Sequence, residues 1–191
     1  GIVHRLDKDT SGVMVVAKND AAHHALARQF AAHSISRIYL ALVAGVPLPL
    51  EGEIATLIAR HAHHRQKMAV SKTRGKEAVT HYKVKEIFKV KGQGVAALME
   101  CRLETGRTHQ VRVHLAHLGH PVLGDALYGR GRAPKNLKGT AAGEAFAAFP
   151  RQALHAALLA FDHPLQAKRM TFKAPLPSDM KALAKTLKAL K

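Results

Sequence analysis

The chain has no tryptophan and a single cysteine, Cys101, in 191 residues. One thiol builds neither a disulfide framework nor a thiolate metal cluster, and it suits a reducing cytoplasm. Acidic residues are scarce as well: 13 Asp and Glu stand against 30 Lys and Arg, for a net charge of +17. That imbalance favours polyanionic partners, chiefly nucleic acid. No apolar run approaches the roughly 18 residues of a spanning helix, and no signal-peptide pattern is visible at the start. A nucleotide-binding glycine loop is missing too. GKEAV (75–79) follows a basic run rather than an apolar strand and lacks P-loop spacing. No Ser or Cys stands in a nucleophile context.

What is present is enough for a sizeable core. Hydrophobic residues make up 47% of the chain, and neither a repeat nor a linker divides it, so 1–191 reads as one domain. GVMVVAK (12–18) reads as a buried strand, and Asp20 is expected to cap a helix with Ala22, Leu26 and Phe30 on one face. RIYLALVAG (37–45) is a second strand and PLPLEGE (47–53) a loop, while 54–76 carries no clean period. EAVTHYKVKEIFKV (77–90) alternates as a half-exposed strand should, GQG (92–94) turns the chain, and VAALMECRLE (95–104) pairs with it. THQVRVHLAHLG (108–119) reads as a helix and 129–150 as a long flexible loop. RQALHAALLAF and KRMTFKAP add further core elements. In the last stretch Met180, Leu183, Leu187 and Leu190 fall at helical spacing behind Ser178 or Asp179 as cap. That stripe is better suited to docking on the core than to anionic lipid. Strands that are both hairpin neighbours and helix-separated argue for an α+β fold with a mixed, largely antiparallel sheet and flanking helices.

Two clusters hold groups capable of chemistry. GIVHRLDKDTSG (1–12) crowds His4, Arg5, Asp7 and Asp9 into a few residues. On spacing alone an ordinary turn or ion pair accounts for Asp7. The second cluster is LETGRTHQVRVHLAHLGHPVLGDALYG (103–129), where Arg107, His109, Gln110 and Arg112 gather at a helix start suited to phosphate or carboxylate. The histidines of HAHH (61–64), with His109, His114, His117 and His120, are numerous but have no cysteine or acidic partner at zinc spacing. Asp7 and Asp9 present a carboxylate pair of the kind that holds Mg²⁺, but Arg5 and Lys8 neutralise it. The predicted metal content is therefore none. Between 60 and 91 there are ten Lys and Arg and two Glu. Arg65, Lys67 and Arg74, in the part without period, are expected on loops that grip an RNA backbone.

Taken together, HRLDKDTSG, GVMVVAK, RIYLALVAG and the 103–129 segment, in that order, resemble the RluA family of pseudouridine synthases. RHAHHRQKMAV, GKEAVTHYKV and RQALHAALLAFDHP look most like its RluD-type members, which act on large-subunit ribosomal RNA. The resemblance implies the pseudouridine synthase catalytic fold, with Asp7 as nucleophile, Tyr39 as stacking platform and proton acceptor, and Arg112 as the partner of the catalytic carboxylate. It further implies that Arg5 fills the space vacated by a flipped nucleotide. Arg107, His109, Gln110, Arg65, Lys67 and Arg74 are the expected substrate contacts. The family acts without metal or cofactor. The expected partner is ribosomal RNA, not a membrane or a nucleotide cofactor, and the expected state is a cytoplasmic monomer. The family's upstream strand and the RluD-type N-terminal S4 domain are not in this sequence, so it reads as an N-terminally truncated catalytic domain.

Three functions compete on the sequence. The first is site-specific isomerisation of uridine in ribosomal RNA. The second is a non-catalytic RNA-binding or ribosome-assembly module, which needs none of Asp7, Tyr39 and Arg112. The third is a metal-dependent nuclease built on Asp7 and Asp9.

Overall fold

The computed structural model describes residues 1–129, 137, 139–166 and 168–189. In chain order the elements are β1 (Ser11–Gly12), α1 (Asp20–Ala31), β2 (Ser36–Ala44), β3 (Glu51–Arg60), β4 (Met68–Ser71), β5 (Lys76–Val90) and β6 (Gln93–Leu103). After them come α2 (Gln110–His117), α3 (Ala141–Ala148), β7 (Leu154–Asp162), β8 (Arg169–Lys173) and α4 (Ser178–Lys188). One eight-stranded sheet runs β1-β7-β2-β6-β5-β3-β4, with β8 also paired to β7. Among the described residues only the β1–β7 pairing is parallel. The fold is the α+β arrangement with a mixed, largely antiparallel sheet that the strand pattern predicts. No helix among the described residues is long and apolar enough to cross a membrane.

The main core joins Leu42 and Val43 of β2, Met99 of β6, Leu115 of α2 and Phe146 of α3 to Met180, Leu183 and Leu187 of α4. Fully burying each such side chain contributes roughly 1.5–3 kcal/mol. The apolar stripe of α4 is thereby used up inside the protein and offers no face to lipid; Leu190 lies outside the described residues. A second cluster sets Leu26 of α1 against Leu159 and Phe161 of β7, with Ala22 and Phe30 packed around it.

Several local expectations need correction. GVMVVAK is not a buried strand: Gly12 alone of it lies in a strand of the sheet, Val16 makes an isolated bridge to Ile2, and Met14 and Val16 stand 45% and 51% exposed. The segment runs along the sheet's edge, with Val13 and Val15 against α1 and their neighbours in solvent. Asn19, not Asp20, caps α1, its side chain accepting from Ala22 N at 2.9 Å. Neither Ser178 nor Asp179 caps α4; Pro177 occupies that position. The hairpin turns at Lys91–Gly92 rather than GQG, both residues having positive φ (48° and 80°). Two adjacent left-handed residues match the twist of the flanking strands. Residues 141–148 of the expected loop are helix α3, capped by Thr140 through Gly143 N. Residues 130–136 and 138 of it lie outside the described residues.

The aperiodic stretch 54–76 contains most of β3 and all of β4. Its alternation is hidden because a polar residue points inward. Thr56 Oγ1 bonds His114 Nε2 at 3.0 Å, and His114 Nδ1 bonds Thr80 Oγ1 at 2.9 Å. Burial, reinforced by His117, pushes the His114 pKa from 6.5 down to about 4. Between those values the unfolded chain binds a proton that the folded protein refuses, so stability is full above 6.5 and falls as pH drops toward 4. The loss from this one group approaches about 3 kcal/mol. Denaturant midpoints measured across that window should fall, and fall less in His114→Gln, which keeps polar atoms but does not titrate.

Candidate active site

The first cluster of the sequence forms a clamped turn. Thr10 N donates to Asp7 O at 3.0 Å, and Asp9 takes a left-handed conformation (φ 67°) to close it. The entry to β7 holds this turn from outside. Gln152 Nε2 donates to Lys8 O at 2.6 Å and to Thr10 Oγ1 at 3.0 Å, and Arg151 Nη1 donates to Asp9 O at 3.2 Å. Arg151 is itself fixed by Asp179 of α4 through bonds of 2.8 and 2.9 Å. At the turn's other end His4 stacks on Phe30 (4.7 Å between centroids), and its Nε2 accepts from Val15 N at 3.1 Å. Burial, with the Arg37 charge, pushes the His4 pKa down to about 4, so the ring is a neutral, fixed acceptor. Asp7 therefore sits on backbone tied at three places, as a reacting carboxylate requires.

Asp7 is the outer end of an acid–base–acid row. Arg112 Nη1 donates to Asp7 Oδ2 at 3.2 Å, across 105 positions of sequence. The other edge of Arg112 grips Asp125 through Nε–Oδ2 at 2.7 Å and Nη2–Oδ1 at 3.0 Å. Asp125 is buried, and its Oδ1 also accepts from Leu127 N and Tyr128 N at 2.9 and 3.0 Å. Burial works against the Arg112 charge, but the hydrogen bonds and charges of Asp125 and Asp7 outweigh it and hold its pKa above the ordinary value. The guanidinium lies over the Tyr128 ring at 5.0 Å. The Tyr128 hydroxyl accepts from Met68 N and shares a bond with His109 Nδ1, both at 2.8 Å. The helix start at Arg112 thus meets a carboxylate, as its residue types suggest, and that carboxylate belongs to the protein. Asp125 and Tyr128 escaped the sequence reading. The available signal was that Asp125 is the one Asp between Asp20 and Asp162, in a stretch otherwise apolar and basic.

Beside this row opens a cleft of about 340 Å³, lined by Asp7, Tyr39, Arg5, Arg37, Arg107 and His109 among others. Tyr39 enters it from β2 at a bulge against β7, where the register slips between Ile38 and Tyr39. A bulge is a common device for re-aiming a side chain at a site. Burial pushes the Tyr39 phenol up to about 12, the Arg37 charge pulling it back in part. It is a neutral hydroxyl on an aromatic face throughout the physiological range. Arg5 is exposed at the rim. Arg107 Nε is anchored on Glu77 O at 2.8 Å. Burial lowers the His109 pKa, so this left-handed cap residue (φ 58°) is neutral near pH 7.

Gln110 is drawn to the cleft wall, but its amide is spent inside the protein rather than offered to a substrate. Its Oε1 accepts from Thr105 Oγ1 and Arg107 N at 2.8 and 2.9 Å, and its Nε2 donates to Val79 O and Thr80 Oγ1, both at 3.0 Å. It pins the 105–107 turn to β5. Arg65, Lys67 and Arg74 do not line the cleft. They lie on the segments flanking β4, where Arg65 and Arg74 are exposed and Lys67 is half-buried. Lys67 precedes Met68, which holds Tyr128. Among the described residues no three His, Cys, Asp or Glu side chains converge as a metal site. His61 instead shapes its own turn, Nδ1 accepting from His63 N and His64 N.

The chain belongs to the RNA pseudouridylate synthase family, whose model matches residues 1–117. It is similar to the ribosomal large subunit pseudouridine synthase D of Zymomonas mobilis, with 54% identity over 188 residues, 98% of this chain and 56% of that protein. The protein of the same name from Pseudomonas aeruginosa is 50% identical over 180 residues, covering 94% of this chain and 54% of its own length. The chain thus spans about half the length of the curated relatives it matches. Among solved structures, human RNA Pseudouridylate Synthase Domain Containing 4 superposes with a TM-score of 0.74 at 28% identity, over 97% of this chain and 75% of that one.

Proposed function

We propose that this chain carries the active site of an enzyme that isomerises specific uridines of large-subunit ribosomal RNA to pseudouridine, in the cytoplasm and as a monomer. The observation that carries the reading is the Asp7–Arg112–Asp125 row at the edge of the cleft. A pure RNA binder has no need to hold a carboxylate with a buried arginine that is itself locked by a second carboxylate.

In this reading the target uridine leaves the RNA stack and enters the cleft, and Arg5 at the rim takes its place. The Asp7 carboxylate attacks C1′, or removes the C2′ proton to form a glycal. Either way the C1′–N1 bond breaks and the uracil stays in the pocket, against the Tyr39 face. It turns and C5 bonds to C1′, as the Asp7 ester bond breaks or as protonated Asp7 returns the proton to C2′ of the glycal. The Tyr39 oxygen takes the C5 proton as its own hydroxyl proton passes on through solvent to N1, so the phenol ends neutral and the conjugated ring is restored. Arg107 and His109 contact the nucleotide from the 105–110 turn. The deciding experiment is a single-nucleotide map of pseudouridine in ribosomal RNA from cells with and without the full-length protein. An unchanged map would remove the reading.

Arg65, Lys67 and Arg74 suit backbone phosphates, which position a substrate rather than react with it. If about five phosphates are neutralised, log K should fall against log salt with a slope of roughly −3.5, near a hundredfold for a fourfold rise in salt. Reversing all three charges should flatten that slope and raise KM more than it lowers kcat. An unchanged slope would move the RNA footprint elsewhere.

A further inference from the structure

Two arginines are buried among the described residues, and their surroundings differ sharply. Arg112 has two carboxylates. Arg37, 8% exposed, has none within salt-bridge distance among the described residues. Its Nη2 donates to Glu104 O at 2.8 Å, its guanidinium lies over Phe30 at 5.7 Å, and its buried Nε has no partner. The neighbouring charge from the 105–107 turn is another cation, Arg107. A buried charge left unpaired is costly, and an apolar residue of similar size ordinarily serves stability better. The chain nevertheless makes room for this one. A methyl group on Gly106 would overlap Arg37 Nη1, so a side chain there would have to displace the guanidinium from its present place. Arg37 also lines the cleft and stands two residues before Tyr39 on β2.

We propose that Arg37 is a catalytic residue that binds the uracil as it leaves C1′, its free guanidinium donors meeting the negative charge that develops on the uracil oxygens. This rests on the reading given under Proposed function. When the C1′–N1 bond breaks, the bonding electron pair goes to N1 and spreads over the ring's carbonyl oxygens. C1′ is taken by the Asp7 carboxylate, or its positive charge is cancelled by loss of the C2′ proton. The detached ring is then a uracil anion, which gives its electron pair back when C5 joins C1′. Nothing is oxidised or reduced. A donor placed where charge develops, in a site shielded from water, accelerates the step without strengthening ground-state binding. Arg37 is the cation of the cleft that no carboxylate among the described residues neutralises and that is already out of water, so the anion it completes is one formed during the reaction.

The test uses the full-length protein on its ribosomal RNA substrate, with Arg37→Met, Arg37→Lys and Asp7→Asn. Arg37→Met should lower kcat by about a hundredfold or more with KM little changed, as for loss of one donor to a developing oxyanion. Its thermal midpoint should hold or rise, because an unpaired buried charge has been removed. Arg37→Lys should keep part of the rate. The kcat deficit of Arg37→Met should be constant from mildly acid to mildly alkaline pH. A deficit that vanishes as pH rises would mean that Arg37 acts only by lowering the Tyr39 pKa, and would overturn the proposal. So would unchanged kcat, or a fall in rate matched by a fall in thermal midpoint in both Arg37 variants. Failure of the parent protein to form pseudouridine would instead remove the underlying function, whatever the variants do.

Discussion

Asp7→Asn is expected to abolish pseudouridine formation by the full-length protein while RNA binding and the folded structure persist. Asn is nearly isosteric and keeps an oxygen to accept from Arg112, but it cannot act as a nucleophile or take up a proton. Single replacements of catalytic nucleophiles cost several orders of magnitude, so a fall in kcat of roughly a thousandfold or more is the expected scale. The backbone that carries Asp7 is held by Gln152 and Arg151 without help from its side chain, so the turn should keep its shape. Turnover near the parent rate would sink the nucleophile assignment. Filter binding on the same preparation separates a dead enzyme from a protein that no longer meets its RNA.

Arg112→Ala is expected to damage stability and rate together. The substitution leaves Asp125 buried with its carboxylate unpaired and Asp7 without its cation. Removing one partner of a buried pair typically costs about 3–5 kcal/mol, a large part of a domain's total. Arg112→Lys should not rescue, because an ammonium cannot serve both edges of the row as the planar guanidinium does. Asp125→Asn offers a finer contrast: it keeps the hydrogen-bonding shape, so the fold should survive while Arg112 turns toward Asp7 and the pH profile of kcat shifts. Urea unfolding and kcat measured side by side decide the matter. An Arg112→Ala protein as stable as the parent would mean that Asp125 finds another partner or is not buried as charge.

How much of this was legible beforehand differs from element to element. The β5–β6 hairpin was readable to within a residue of its turn because β5 alternates, an apolar run follows the turn residues, and the signal is local. The α4 stripe was readable because three side chains at helical spacing all find the core. By contrast, β3 was hidden by a single inward Thr, whose partner His114 lies 58 positions away. GVMVVAK misled because a Val-rich segment at a sheet's edge looks, in sequence, the same as one at its centre.

The candidate site divides along the same line. His4, Arg5, Asp7 and Asp9 announce themselves by crowding, and the basic excess announces a polyanionic partner; residue types and local spacing were sufficient for both. That Gln110 is spent on the 105–107 turn, that Arg112 is shared between Asp7 and Asp125, and that Arg37 has no carboxylate partner among the described residues, only the tertiary structure decided. Each depends on contacts between residues tens of positions apart, 105 in the case of Asp7 and Arg112. Hydrophobic period and turn chemistry act over a few residues and carry no record of which strands the sheet will place side by side. The pairing of a charge, and so its chemistry, is set by that placement.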